Sequence, residues 1–122
     1  MDEAVHLALS NDTLIDITTT GRKTGGPRRL EIWFHYQDGR IAITGSPGPR
    51  GWYANMVADP RFTWHFKQSL ERDIAAEARP ITDEVERRAL FERVRELEER
   101  MGHVDVDDWT KRSPIVEVKF LT

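Results

Sequence analysis

The sequence predicts a mainly β protein, an α+β chain whose short antiparallel strands form a closed or partly closed barrel with helices at its periphery. Three observations predict it. Apolar and polar residues alternate with a period of two in about six short segments. Gly, Pro and Asp-Gly signals separate those segments. A single long stretch carries a helical period instead. Short strands joined by hairpins must protect their edges, and closing the sheet on itself does so.

Taken in order, Leu14-Ile15-Asp16-Ile17-Thr18-Thr19-Thr20 is β-branched and alternating, which favours a half-buried first strand ending at Gly21. About 13 residues precede it. Beyond the Gly25-Gly26-Pro27 breaker, the second strand places Leu30, Ile32, Phe34 and Tyr36 on one face and Glu31, Trp33 and His35 on the other. Asp38-Gly39 suits a two-residue hairpin turn with positive φ at both positions, after which Arg40 to Ser46 returns with Ile41 and Ile43 on a common face. Prolines lack a ladder donor, so Ser46-Pro47-Gly48-Pro49-Arg50-Gly51 reads as a loop into a short helix from Trp52 to about Ala58, stopped by Asp59-Pro60. Phe62, Trp64 and Phe66 alternate with Thr63, His65 and Lys67 as a fourth strand, and a turn near Gln68-Ser69 leads to a fifth from about Leu70 to Pro80. Thr82 is the expected N-cap of the long helix, with Asp83, Glu84 and Glu86 favoured by the helix dipole. That helix runs to about Met101, with Val85, Ala89, Val94, Leu97 and Met101 as its apolar stripe, Glu84/Arg88 and Glu96/Arg100 as i,i+4 pairs and Gly102 as its stop. Pro114 to Phe120 alternates Val116, Val118 and Phe120 with Glu117 and Lys119 as the last strand.

With 122 residues the chain has room for one domain. No run of about 18 apolar residues provides a transmembrane helix, and Met1-Asp2-Glu3 begins no signal peptide, so a cytoplasmic protein is expected. The absence of cysteine excludes disulfides, a thiolate nucleophile and Cys-based metal sites. Eighteen basic against 21 acidic residues, a net charge of -3, leaves no overall attraction to nucleic acid, and no such partner is expected.

The densest cationic feature is Gly21-Arg22-Lys23-Thr24-Gly25-Gly26-Pro27-Arg28-Arg29. Glycines let backbone N–H groups approach an anion, arginine donates a fork of hydrogen bonds and Thr24 adds a hydroxyl, so the loop suits a phosphate or carboxylate. On composition alone an exposed hairpin kept soluble by its charges is the stronger reading. The loop is neither a Walker loop nor a dinucleotide-binding glycine fingerprint. The second feature is Ser46-Pro47-Gly48-Pro49-Arg50-Gly51-Trp52-Tyr53-Ala54-Asn55. Its helix N-terminus, Ser46 and Arg50 favour a negative group, and Trp52 or Tyr53 offers a planar cover, while core packing is the alternative for Trp52. His6, His35, His65 and His103 have no metal-ligand spacing, and no metal is expected. Glu31 and His35, on one face, read as an acid/base pair or as ordinary cross-strand neighbours. Ser46 has no His-acid pair beside it in sequence, which argues against a hydrolytic triad.

Thr18-Thr19-Thr20-Gly21-Arg22-Lys23-Thr24-Gly25-Gly26-Pro27-Arg28, Asp38-Gly39-Arg40, Trp52-Tyr53-Ala54-Asn55, Ala58-Asp59-Pro60 and Asp108 to Val116 together resemble the successive motifs of the deazaflavin (F420)-dependent nitroreductases and quinone reductases. The likeness covers roughly residues 14 to 120 in order. It implies a split β-barrel of the flavin-reductase type that binds coenzyme F420, with FMN as the alternative. Reduced deazaflavin would pass a hydride to a quinone, nitroaromatic or other small-molecule electron acceptor, so the cofactor carries the chemistry and no side chain need act as a nucleophile. By motif, Arg22, Lys23 and Arg28, assisted by Thr24, would hold the phosphate and acidic tail. Ser46, Trp52, Tyr53 and Asn55 would border the phospholactate and ring. Arg50 would take the place of a lysine that relatives carry in a longer loop. Glu31-Ile32 replaces a Pro-Leu of relatives and would set a carboxylate near the anionic coenzyme. A homodimer whose second chain covers part of the groove is expected, and a non-catalytic carrier of a flavin-like anion is the reading from another class.

Overall fold

The computed structural model describes residues 2–97 and 104–121. Seven antiparallel strands form one curled sheet in the order β2-β1-β5-β6-β7-β4-β3. They are β1 (Leu14–Thr20), β2 (Pro27–Trp33), β3 (His35–Gln37), β4 (Arg40–Thr44), β5 (Arg61–Phe66), β6 (Arg72–Pro80) and β7 (Ile115–Phe120). The expected second strand is divided. At Phe34 the chain leaves one edge of the sheet, where β2 pairs with β1, and joins the other, where β3 pairs with β4. One run of sequence thus supplies both edges, which is how a sheet curls into a barrel without a long crossover. The alternation runs on through the break: Leu30, Ile32, Phe34 and Tyr36 all pack on the barrel core, while His35 pairs with Ala42 of the apolar cluster outside the wall and is buried there.

Asp38 (φ 56°) and Gly39 (φ 75°) both lie in the left-handed region, as the two-residue turn between β3 and β4 requires. The barrel interior holds Ile15, Ile17, Phe34, Ile43, Met56, Trp64 and Val116, all nearly inaccessible. Helix α1 (Glu3–Asn11), not expected from the sequence, is N-capped by Asp2 and packs Val5, Ala8 and Leu9 onto this core. A second apolar cluster lies outside the barrel wall, where Ala42 and Ile115 meet Ile81, Phe91 and Trp109 beneath α3 (Glu84–Leu97) and α4 (Val106–Arg112). Strand β4 is therefore buried on both faces and does not show alternating exposure.

The long helix departs from its expected pattern in two ways. Asp83, not Thr82, caps it, its Oδ2 accepting the Glu86 N–H at 2.9 Å. Val85 (77% exposed) and Ala89 face solvent, and the buried stripe is Leu90, Phe91 and Val94. Arg87 completes that stripe. Its guanidinium lies over the Phe91 ring and donates to the carbonyls of Ile81 (2.8 Å), Thr110 (2.7 Å) and Ser113 (2.5 Å), placing a cation at the C-terminal end of α4. Met101, Gly102, His103 and the Glu96/Arg100 pair involve residues outside those described.

An ion network ties α3 to the sheet. Arg79 and Arg40 both reach Glu86 and Glu117 over 2.6–2.8 Å. Arg79, then Arg40, hold the Glu86 carboxyl down at about 2, against an ordinary 4.5. Arg40, then Arg79, lower that of Glu117. Because the unfolded chain takes up these protons first, the stabilisation is complete above about pH 4.5 and is lost as pH falls toward about 2. Urea midpoints measured across that window are expected to fall less steeply in Glu86→Gln than in the parent chain, and identical slopes would remove Glu86 from the acid response.

Candidate functional site

The β1–β2 connection is a preformed loop. Gly21 N–H donates to the Gly26 carbonyl and Gly25 N–H to the Gly21 carbonyl, each at 2.7 Å, while Arg28 Nη2 donates to Thr24 Oγ1 at 3.0 Å. A Cβ on Gly21 would stand 3.0 Å from Thr24 Oγ1 and 3.2 Å from the Gly26 carbonyl, so a side chain at this buried position would press the loop apart by a few tenths of an ångström. The loop is fixed to helix α2 (Gly51–Ala58) by Asn55. Buried Asn55 accepts both the Arg22 backbone N–H and its Nη1–H at 3.1 Å, and donates to Thr19 Oγ1 at 3.1 Å.

Between this loop and α2 lies a groove of about 400 Å³ lined by Arg22, Lys23, Thr24 and Arg28 together with Gly51, Trp52 and Asn55. Six of the nine residues expected at the site are thereby brought together. Trp52 is 7% exposed and belongs to the barrel core, so packing and groove-lining are one role for it, with its ring edge-on to Tyr53. Arg50 and Tyr53 line a second groove of about 640 Å³ on the other side of the first turn of α2, against Thr82, Lys111, Arg112 and Ser113. Ser46 is exposed and lines neither groove, because the loop turns away through Gly48 (φ 121°), whose N–H is held by the Arg112 carbonyl at 3.1 Å. Gly48 and the buried Thr44 hydroxyl, which donates to the Pro114 carbonyl at 2.6 Å, dock this loop onto the α4–β7 junction.

The electrostatics of both grooves are one-sided. The chain carries a net charge of -3, yet among the described residues neither groove is lined by an Asp or Glu. Helix α2 begins at Arg50 without a side-chain cap and has no acid in its first turn, so its leading N–H groups remain donors for a ligand. Glu31, expected near an anionic ligand, lies outside both grooves and pairs with Lys67 on the outer face of the sheet. Lys67 also binds Asp16 at 2.7 Å, which with Arg29 lowers the Asp16 carboxyl below its usual range. His65 is buried between Thr18 Oγ1 and Asp73 Oδ1, 2.7 Å from each, a satisfied structural position. Sequence reasoning gave Lys111, Arg112 and Ser113 no role; their signal was a basic pair directly before Ser113-Pro114, at the end of a helix the periodicity did not reveal.

The chain is thus a curled antiparallel half-barrel with a cationic cleft beside a helix N-terminus that has no side-chain cap. The family of F420H(2)-dependent quinone reductases matches residues 4–119, and the chain belongs to that family. It is an F420-dependent reductase. Among solved structures, an F420-H2 dependent reductase is 24% identical and superposes with a TM-score of 0.61, covering 88% of this chain and 95% of that one. A FAD-binding protein from Mesorhizobium loti is 11% identical at a TM-score of 0.70, covering 100% and 91%. A third, described as a domain-swapped dimer, is 23% identical at 0.60, covering 88% and 81%. At these identities the likeness is one of fold. The residues present fit the coenzyme: Arg22, Lys23 and Arg28 would hold an acidic tail and a phosphate, and among the described residues nothing lies within 4 Å of where a Gly51 Cβ would stand, which leaves the helix N-terminus open to close approach.

Proposed function

We propose that the chain reduces a small quinone or comparably electron-poor acceptor, with the coenzyme held across the first turn of α2. When bound, reduced F420 supplies a hydride that, with a proton, converts a quinone to the hydroquinone and leaves F420 oxidised. Arg22, Lys23 and Arg28, with Thr24, bind its phosphate and acidic tail. Asn55 orients the loop that presents them, and the N-terminal turn of α2 supports the phosphate. Trp52 and Tyr53 border the ring, and the groove beyond Tyr53 receives the acceptor. Rate then comes from orientation of donor and acceptor in a shaped cleft. The observation that supports this reading most is the meeting of two carboxylate-free grooves at one uncapped helix N-terminus.

Lys23→Ala and Arg28→Ala are each expected to raise the F420 dissociation constant about tenfold, the effect of one charge-assisted hydrogen bond at an exposed site. Ligand fluorescence in titrations at low and moderate salt reads this, and affinity should fall as salt rises. FMN, titrated in parallel, should bind weakly because it lacks the acidic tail. Unchanged affinity in both variants would remove the basic loop from the site, and preference for FMN would replace the coenzyme. The expected homodimer accords with the neighbour described as a domain-swapped dimer and is read by sedimentation at two concentrations.

A further inference from the structure

We propose that the acceptor is itself an anion, an aromatic or quinonoid ring bearing a carboxylate, sulfonate or phosphate, and that Lys111 with Arg50 selects it. This rests on the reading above that the acceptor enters the groove between α2 and α4. Of the walls of that groove, Pro49, Ala54, Ile81 and Pro114 are apolar and Tyr53 offers a ring, which suits a planar ligand. The remaining side is cationic. Arg87 is engaged by backbone carbonyls and Arg112 by Asp108 at 2.6 and 2.8 Å. Arg50 donates to the Pro49 carbonyl at 3.0 Å, a contact that leaves its charge in place. Lys111 is exposed, and the carboxylates in its field, Asp107 and Asp108, belong to the first turn of α4 and do not line the groove. A second observation points the same way. The Ser113 hydroxyl, in a residue only 3% exposed on the same wall, has no hydrogen-bond partner among the described residues. A neutral quinone would leave these charges facing an apolar ring edge, whereas an anionic substituent meets them and gains a fixed orientation.

The test uses naphthoquinone and naphthoquinone sulfonate as a matched neutral and anionic pair. Their dissociation constants are measured calorimetrically on the full chain, both alone and loaded with oxidised F420, so that no turnover occurs. The sulfonate is expected to bind at least tenfold more tightly at low salt. Lys111→Glu, at a solvent-exposed position, should erase or reverse that preference while leaving the neutral quinone and F420 affinities unchanged. Equal binding of the two quinones by the parent chain would overturn the proposal. So would a loss of F420 affinity in Lys111→Glu, which would assign this charge to the coenzyme. Failure of F420 to bind the parent chain would strike the underlying reading instead, and the preference measured without coenzyme keeps the two failures apart.

Discussion

Asn55→Leu is expected to lower stability by about 2–4 kcal/mol and to weaken F420 binding by more than the loss of any one loop cation. Asn55 is 6% exposed and spans three groups. Its amide donates to Thr19 Oγ1, in a residue 2% exposed, and its carbonyl accepts two N–H groups of Arg22. Leucine leaves the Thr19 hydroxyl and the Arg22 backbone N–H without partners, and buried orphans of this kind cost about 1–3 kcal/mol each. Releasing Arg22 also frees the loop, so ordering it again opposes binding. Asn55→Asp separates the two effects. A carboxylate still accepts from Arg22 but cannot donate to Thr19, and it sets a negative charge beside the cationic groove. Urea unfolding should show a smaller loss than for leucine, while F420 affinity should fall at least as far. Parent-like F420 affinity in Asn55→Asp would show that this groove does not hold an anion.

Arg87→Met should lower the melting temperature by roughly 10 °C, corresponding to about 3 kcal/mol in a domain of this size. Methionine keeps an unbranched apolar side chain but abandons the Phe91 ring face and the carbonyls of Ile81, Thr110 and Ser113. Those carbonyls sit where β6 passes into α3 and where α4 turns into β7, so one planar cation joins three chain segments. Arg87→Lys should recover little of the loss, because an ammonium cannot span a fan of acceptors that a guanidinium meets along its edges. A lysine variant as stable as the parent would reduce the role to charge alone. If the α4–β7 junction also shapes the acceptor groove, Arg87→Met will change quinone binding below its melting transition more than it changes F420 binding.

Much of this architecture can be read from residue patterns, and the failures have physical causes. The hairpin at Asp38-Gly39 is legible because only a few residues tolerate positive φ at both turn positions, and both angles are observed. The alternation of Phe62, Trp64 and Phe66 is legible because one face of β5 meets the core. Phe34 misleads for the opposite reason. Its apolar side chain continues the alternation through a point where the strand changes partners, and hydrophobic period is blind to a change of neighbour. Helix α1 is too short to announce itself by period, and its Asp2 cap is the one local sign of it. On α3, Val85 counts as apolar in any pattern, yet the face that packs is chosen by Arg87, whose hydrogen bonds no periodicity records. The basic loop is visible as composition, but composition alone favours a solvated hairpin. What composition cannot show is the tie to Asn55, 33 residues distant from Arg22 in sequence, which fixes the loop against α2.

The groove between α2 and α4 owes its spacing to a sheet register. Thr44 pairs with Ile115, and from that point one strand leads into the loop before α2 while the other leads back to α4. The pairing thus works as a gauge between the two walls of that groove. Its graduations are one residue, about 3.3 Å, which already exceeds the tolerance of a hydrogen bond. A slip of a single step would also turn Ile43 and Val116 out of the barrel, so the core that holds the register forbids the error that the chemistry could least absorb. The fit between α2 and α4 is in this sense calibrated from inside the barrel, by residues that never meet a ligand.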